Sequence, residues 1–235
     1  MENTDIQQTS RQYKDTVFRA LFGDSKRFLE LYNAVADEHF PEDTIVTPFE
    51  PNSLLARFKD IAALVGSQLI IFFEQQSTPS LNMPLRLLRY VTNELYSQVI
   101  DPEKLYRSKQ VKIPTPRFYV LYNGEQKLDY QVLKLSDAFI LDDSEPALEL
   151  TAKIININYE SGEAAFDRSA SLQGYAFLVA EIRKNIRSGM TRDNAIIAAI
   201  ELCIKQDVLK AFLKDHFEEV VKMLNYEYDA EAENN

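Results

Sequence analysis

The segment Asp60–Gln76, DIAALVGSQLIIFFEQQ, constrains this chain more than any other. Leu54–Val65 and Leu69–Gln76 read as a strand pair around a Gly66-Ser67 turn signal. Ile61, Ala63, Val65, Leu69, Ile71 and Phe73 occupy one set of alternate positions, and Ala62, Leu64, Ile70 and Phe72 the other. Strands apolar on both faces belong in a sheet covered by helices. Into this apolar pattern the sequence sets two acids, Asp60 and Glu74.

A lone carboxylate in a buried strand is costly, and two neighbouring carboxylates repel unless a cation joins them. A hard divalent ion with oxygen ligands removes both penalties. Glu74 and Gln76 are two residues apart, so they share a face of one strand while Gln75 points away. This is the spacing of an E-x-K/Q element, in which Mg2+ or Mn2+ would serve phosphoryl chemistry. A plainer reading of the same residues has Asp60 paired with Arg57 or Lys59 and Glu74 marking a strand end at solvent. Register separates them. With a two-residue hairpin loop, Val65 opposes Gln68 and Asp60 faces Phe73. With a three-residue connection or a bulge, Val65 opposes Leu69 and Asp60 faces Glu74. The metal reading needs the second register.

The flanking pattern predicts an α/β fold. Thr9 or Ser10 caps a helix presenting Tyr13, Val17, Phe18, Leu21 and Phe22, and a second helix carries Phe28, Leu31, Tyr32 and Val35. Thr44–Phe49 reads as a short strand. A helix begins at Asn82 or Met83 with Pro84 in its first turn, and Phe118–Tyr122 is a strand closed by Asn123-Gly124. Leu148–Asn156 is a further strand. Helices follow over Arg168–Arg187, after Thr191 and after Asp207, and the acidic tail from Tyr228 is expected to be disordered.

Other chemistries lack their residues. Two distant histidines and one cysteine, Cys203, give no zinc spacing and no nucleophilic triad. Six glycines form no phosphate-cradling cluster. The single cysteine points to a reducing compartment. No signal peptide or membrane span is expected, so a cytoplasmic location is. The net charge of −10 opposes a general grip on nucleic acid, but 84–117 holds seven bases against three acids.

The segments YKDTVFRALFGDSKRFLELYNA, IIFFEQQSTPSLNMPLRLLRYV, KIPTPRFYVLYNGEQ, LKLSDAF and LELTAKIININY resemble the bacterial recombination-promoting nuclease / putative transposase family. That family lies in the PD-(D/E)XK nuclease superfamily, and the C-terminal AIELCIKQDVLKAFLKDHFEEVVKML is also similar to it. The resemblance runs from about Arg11 to Leu224. It implies a restriction-endonuclease-like core with a mixed sheet flanked by helices over residues 1–160, a helical region over 161–226 and an acidic tail over 227–235. It also implies an Mg2+-dependent DNA endonuclease linked to recombination or mobile DNA, with motif acids Asp60 and Glu74. The metal would be held by these two and the backbone carbonyl of Gln75. Gln76 takes the place where the superfamily usually has lysine, and would position the attacking water. Glu30 is the candidate for the glutamate that the superfamily often adds from its first core helix. Arg86 and Arg89 are expected to contact phosphates of the DNA, and the C-terminal helices are a candidate homo-oligomer surface. The alternatives are a catalytically weak relative that binds DNA or protein, and a helical interaction protein.

Overall fold

The computed structural model describes residues 16–49 and 60–233. They fall into two compact units. One joins the chain up to Glu38 with Ile157 onward, and the other is His39–Asn156. The first helices cluster with the C-terminal ones.

The His39–Asn156 unit carries a six-stranded mixed sheet: β1 (Val46–Pro48), β2 (Asp60–Val65), β3 (Leu69–Gln76), β4 (Thr115–Tyr122), β5 (Val132–Lys134) and β6 (Thr151–Asn156). Their order is β1-β2-β3-β4-β6-β5, with β3–β4 and β4–β6 parallel and the other pairs antiparallel. β5 was not expected; three residues are too short for a legible alternation. The expected start of β2 at Leu54 lies outside the described residues. Between β3 and β4 the chain rises through α3 (Met83–Tyr90), with Pro84 in its first turn, then a π turn over Val91–Leu95 and a short α4 (Tyr96–Val99). Met83, Leu87 and Tyr90 pack with Ala62, Ile70, Phe72, Val120 and Tyr122, all buried. Phe72 and Tyr90 stack with centroids 5.8 Å apart. The even-numbered face of β2 and β3 is therefore the one beneath α3. The odd-numbered positions Ala63, Ile71 and Phe73 are fully buried too, as the unbroken apolar run implies.

The β2–β3 connection settles the register. Gly66 and Ser67 both adopt positive φ, and Gln68 N–H closes the turn on the Val65 carbonyl at 3.1 Å. Gln68 does not enter the β2–β3 ladder; its carbonyl accepts from Thr115 N–H at 2.8 Å instead. Pairing resumes at Leu69 opposite Val65, and Asp60 stands opposite Glu74.

The helical unit holds α1 (Val17–Phe22), α2 (Ser25–Ala36), α5 (Ala170–Arg187), α6 (Arg192–Lys205), α7 (Lys210–Asp215) and α8 (Phe217–Glu233). Thr16 caps α1 by accepting from Arg19 N–H; the expected caps Thr9 and Ser10 lie outside the described residues. Phe18, Phe22 and Tyr175 form an aromatic cluster with centroids 4.9–6.3 Å apart. The single helix expected after Asp207 is instead two, separated at His216. Asp207 does not cap it. Asp207 and Leu209 both take positive φ, and Asp207 pairs with Lys210 at 2.8 Å. The acidic stretch expected to be disordered from Tyr228 is helical to Glu233. One reason is upstream: the Glu227 carboxylate accepts from Val17 N–H at 3.0 Å and ties α8 to the start of α1. No helix among the described residues is long and apolar enough to cross a membrane.

Candidate functional site

Three consecutive polar residues end β3. Glu74, Gln75 and Gln76 are 3 %, 2 % and 8 % exposed. Strand positions this deep normally carry apolar side chains, and each polar atom there needs a partner. Glu74 therefore does not mark a strand end at solvent.

Glu74 projects to the face beneath α3. Its Oε1 accepts from Arg86 Nη2 on α3 at 2.8 Å, while Oε2 is buried without a hydrogen-bond partner among the described residues. Arg86 was expected at a phosphate; the structure pairs it with Glu74. Its side chain is 30 % exposed against 4 % for that of Glu74, so the guanidinium reaches the carboxylate from the rim. Arg89, one turn along α3, is exposed. Gln76 lies on the same face as Glu74, and its Nε2 donates to Met83 Sδ at 2.7 Å. A thioether is a weak acceptor. Gln75 points to the opposite face, where Nε2 donates to Asn123 Oδ1 at 2.8 Å and Oε1 has no partner among the described residues.

Asn123 is the residue that the sequence reading missed. The sequence marks it only as the end of β4, yet it is buried, holds Gln75 by its side chain and donates its backbone N–H to the Gln76 carbonyl at 2.9 Å. Parallel pairing sets Gln76 beside Tyr122, so Asn123 follows directly at the end of β4. An Asn-Gly pair reads as a turn, and nothing local marks its first member as buried.

Glu30 belongs to the helical unit. Its Oε1 accepts from Ser169 Oγ at 2.6 Å and from Ser171 N–H at 3.1 Å, and its Oε2 accepts from Ser171 Oγ at 2.9 Å. Both oxygens brace the first turn of α5, whose cap is Ser169.

The register and the orphaned oxygen together test a divalent ion. Two carboxylate positions stand opposite each other, Asp60 and Glu74, and one buried oxygen of Glu74 lacks a hydrogen. Among the described residues no cluster of three His, Cys, Asp or Glu exists. Mg2+ is commonly held by one or two carboxylates with water and substrate phosphate completing the shell, so this donor set fits it. Searches against family models, curated proteins and solved structures return no match to this chain.

Proposed function

We propose that this chain is a divalent-metal-dependent DNA endonuclease with a PD-(D/E)XK core. The observation that supports it best is the buried Glu74 Oε2, unpartnered among the described residues, on the residue directly opposite Asp60. Asp60, Glu74 and the Gln75 carbonyl would hold Mg2+ or Mn2+, and Gln76 would orient the attacking water. When bound, the cation supplies positive charge for the phosphate and lowers the pKa of a water. The family resemblance supplies DNA as the substrate and mobile DNA as the setting. Glu30, with both oxygens engaged by serines, is left out of this mechanism.

A second reading, a catalytically silent relative that keeps the fold for binding, is favoured by one observation. Arg86 already neutralises Glu74 and occupies its Oε1. Supercoiled plasmid with Mg2+ or with a chelator separates the two. The nuclease reading expects nicking or linearisation only with the ion, and at least about 100-fold less with Asp60→Ala. It also expects Mg2+ to stabilise the wild type, by about 2.7 kcal/mol at a hundredfold excess over the dissociation constant. Asp60→Ala should lose that response. No cleavage, or an equal thermal response in both proteins, ends it.

Gln76 offers a second check. Gln76→Ala is expected to slow cleavage, whereas Gln76→Lys, which adds a cation near developing negative charge, is expected to retain or raise it. An unchanged rate in Gln76→Ala takes the residue out of the mechanism.

A further inference from the structure

A second feature of the sheet unit lies outside the Glu74 site. After α4 the chain makes a 3-10 turn, Pro102–Tyr106, and then runs without regular structure to Thr115. This path folds around an open cleft of about 410 Å³. Apolar Val99 and Ile100 form part of its wall, and Lys104, Arg107, Lys109 and Lys112 supply its charge. Asp101 is the one acid on the lining. From Lys104 to Lys112 there are four bases and no acid, in a chain that carries 36 acids to 26 bases. That local reversal of sign is not what solvation of an acidic protein requires.

The cations are only partly engaged. Lys104 pairs with Asp101 at 3.6 Å across exposed side chains, and Lys112 donates to Gln110 at 3.2 Å. Arg107 and Lys109 have no side-chain partner among the described residues and are exposed. Between these charges the sequence places Leu105 and Tyr106, which are 59 % and 92 % exposed. An aromatic ring left in water beside unpaired cations is a stacking surface flanked by phosphate contacts. The segment has no α-helix or strand to lay in a duplex groove.

We propose that this basic stretch binds single-stranded DNA, with Arg107 and Lys109 of the cleft on successive phosphates and an unpaired base stacked on Tyr106, which precedes Arg107 in the chain and stands exposed outside the cleft lining. The identification of the polymer as DNA rests on the proposed function above; the surface does not. Anisotropy of a labelled oligothymidylate of about 15 nucleotides, measured on the full chain with EDTA present, tests it without cleavage. Binding should be salt-dependent and tighter than to a duplex of equal length. Arg107→Glu combined with Lys109→Glu should weaken it at least about tenfold and flatten the logarithmic salt slope by about 1.4. Tyr106→Ala should weaken it about tenfold with little change in that slope. All three residues are exposed, so folding is not at issue, and circular dichroism confirms it.

Equal affinity of the wild type and the charge-reversed protein overturns the proposal, as does preference for duplex or for anionic phosphatidylserine vesicles. A chain that binds the oligonucleotide but never cuts plasmid keeps this site and removes the nuclease reading. A chain that cuts plasmid but whose oligonucleotide binding ignores these variants does the reverse.

Discussion

Arg86→Ala is expected to destabilise the protein by about 2–3 kcal/mol, a loss too large for a surface arginine. The Glu74 carboxylate is buried and its Oε1 depends on Arg86 at 2.8 Å, while Oε2 has no hydrogen-bond partner among the described residues. Removing the guanidinium leaves a charge without compensation in an apolar setting. Breaking a fully buried pair costs about 3–5 kcal/mol, and the 30 % exposure of Arg86 lets water return part of that. Urea unfolding of Arg86→Ala, Glu74→Gln and the double variant measures the coupling directly. The double variant should be more stable than Arg86→Ala alone, because the neutral amide no longer needs the cation. A divalent ion sharpens the result. If Mg2+ shares Glu74 with Arg86, it should raise the melting temperature of Arg86→Ala more than that of the wild type. If Arg86→Ala unfolds with the wild-type midpoint yet binds DNA poorly, the arginine serves phosphate and its pairing with Glu74 is incidental.

The sequence and the structure agree where periodicity is long and disagree where geometry is set by single residues. The apolar runs in β2, β3 and β4 and the helices α3, α5 and α6 carry their own pattern, so their existence could be read directly. The three-residue offset between β2 and β3 could be framed in advance only as a choice of registers. What selects it is the pair Gly66 and Ser67 in positive φ and the diversion of the Gln68 carbonyl to Thr115. The second of these is a partner from 47 positions along the chain. Asp207 failed as a cap for a local reason: the chain takes positive φ at Asp207 and again at Leu209, and α7 begins only after them.

At the candidate site the buried acid Glu74 could be read from the sequence, and its partner could not. Glu74 declared itself by interrupting an apolar strand. Arg86 was expected at a phosphate, but its direction depends on how α3 lies over β3. Glu30 shows the opposite case. Its place on the second helix made it a candidate by resemblance, and Ser169 and Ser171, about 140 positions later, occupy its carboxylate.

Gly124→Ala is expected to be the most disruptive small substitution in the sheet unit, costing about 3 kcal/mol or more. Gly124 is not held in a left-handed conformation; its role is to let two other groups come close. A Cβ built there would overlap the Ser77 carbonyl oxygen and the Tyr122 ring. The Ser77 oxygen is backbone and cannot rotate away. Tyr122 is 2 % exposed and its hydroxyl donates to the Gln126 carbonyl at 2.8 Å, so the ring has no free route out. Relief must come from separating the ends of β3 and β4, where Asn123 holds Gln75 and Gln76. Gly124→Ala should therefore lose stability and, on the proposed metal reading, the thermal response to Mg2+ together. Gly189→Ala is the control: its φ is +93° but nothing lies within 4 Å of an added Cβ. It should cost only about 1–2 kcal/mol, the penalty for a left-handed backbone, and leave any thermal response to the proposed metal intact. Thermal unfolding of both, with and without Mg2+, decides between close approach and conformational freedom. A Gly124→Ala protein as stable as the wild type would mean that the two strand ends part easily, and Asn123 would then have no claim to position Gln75.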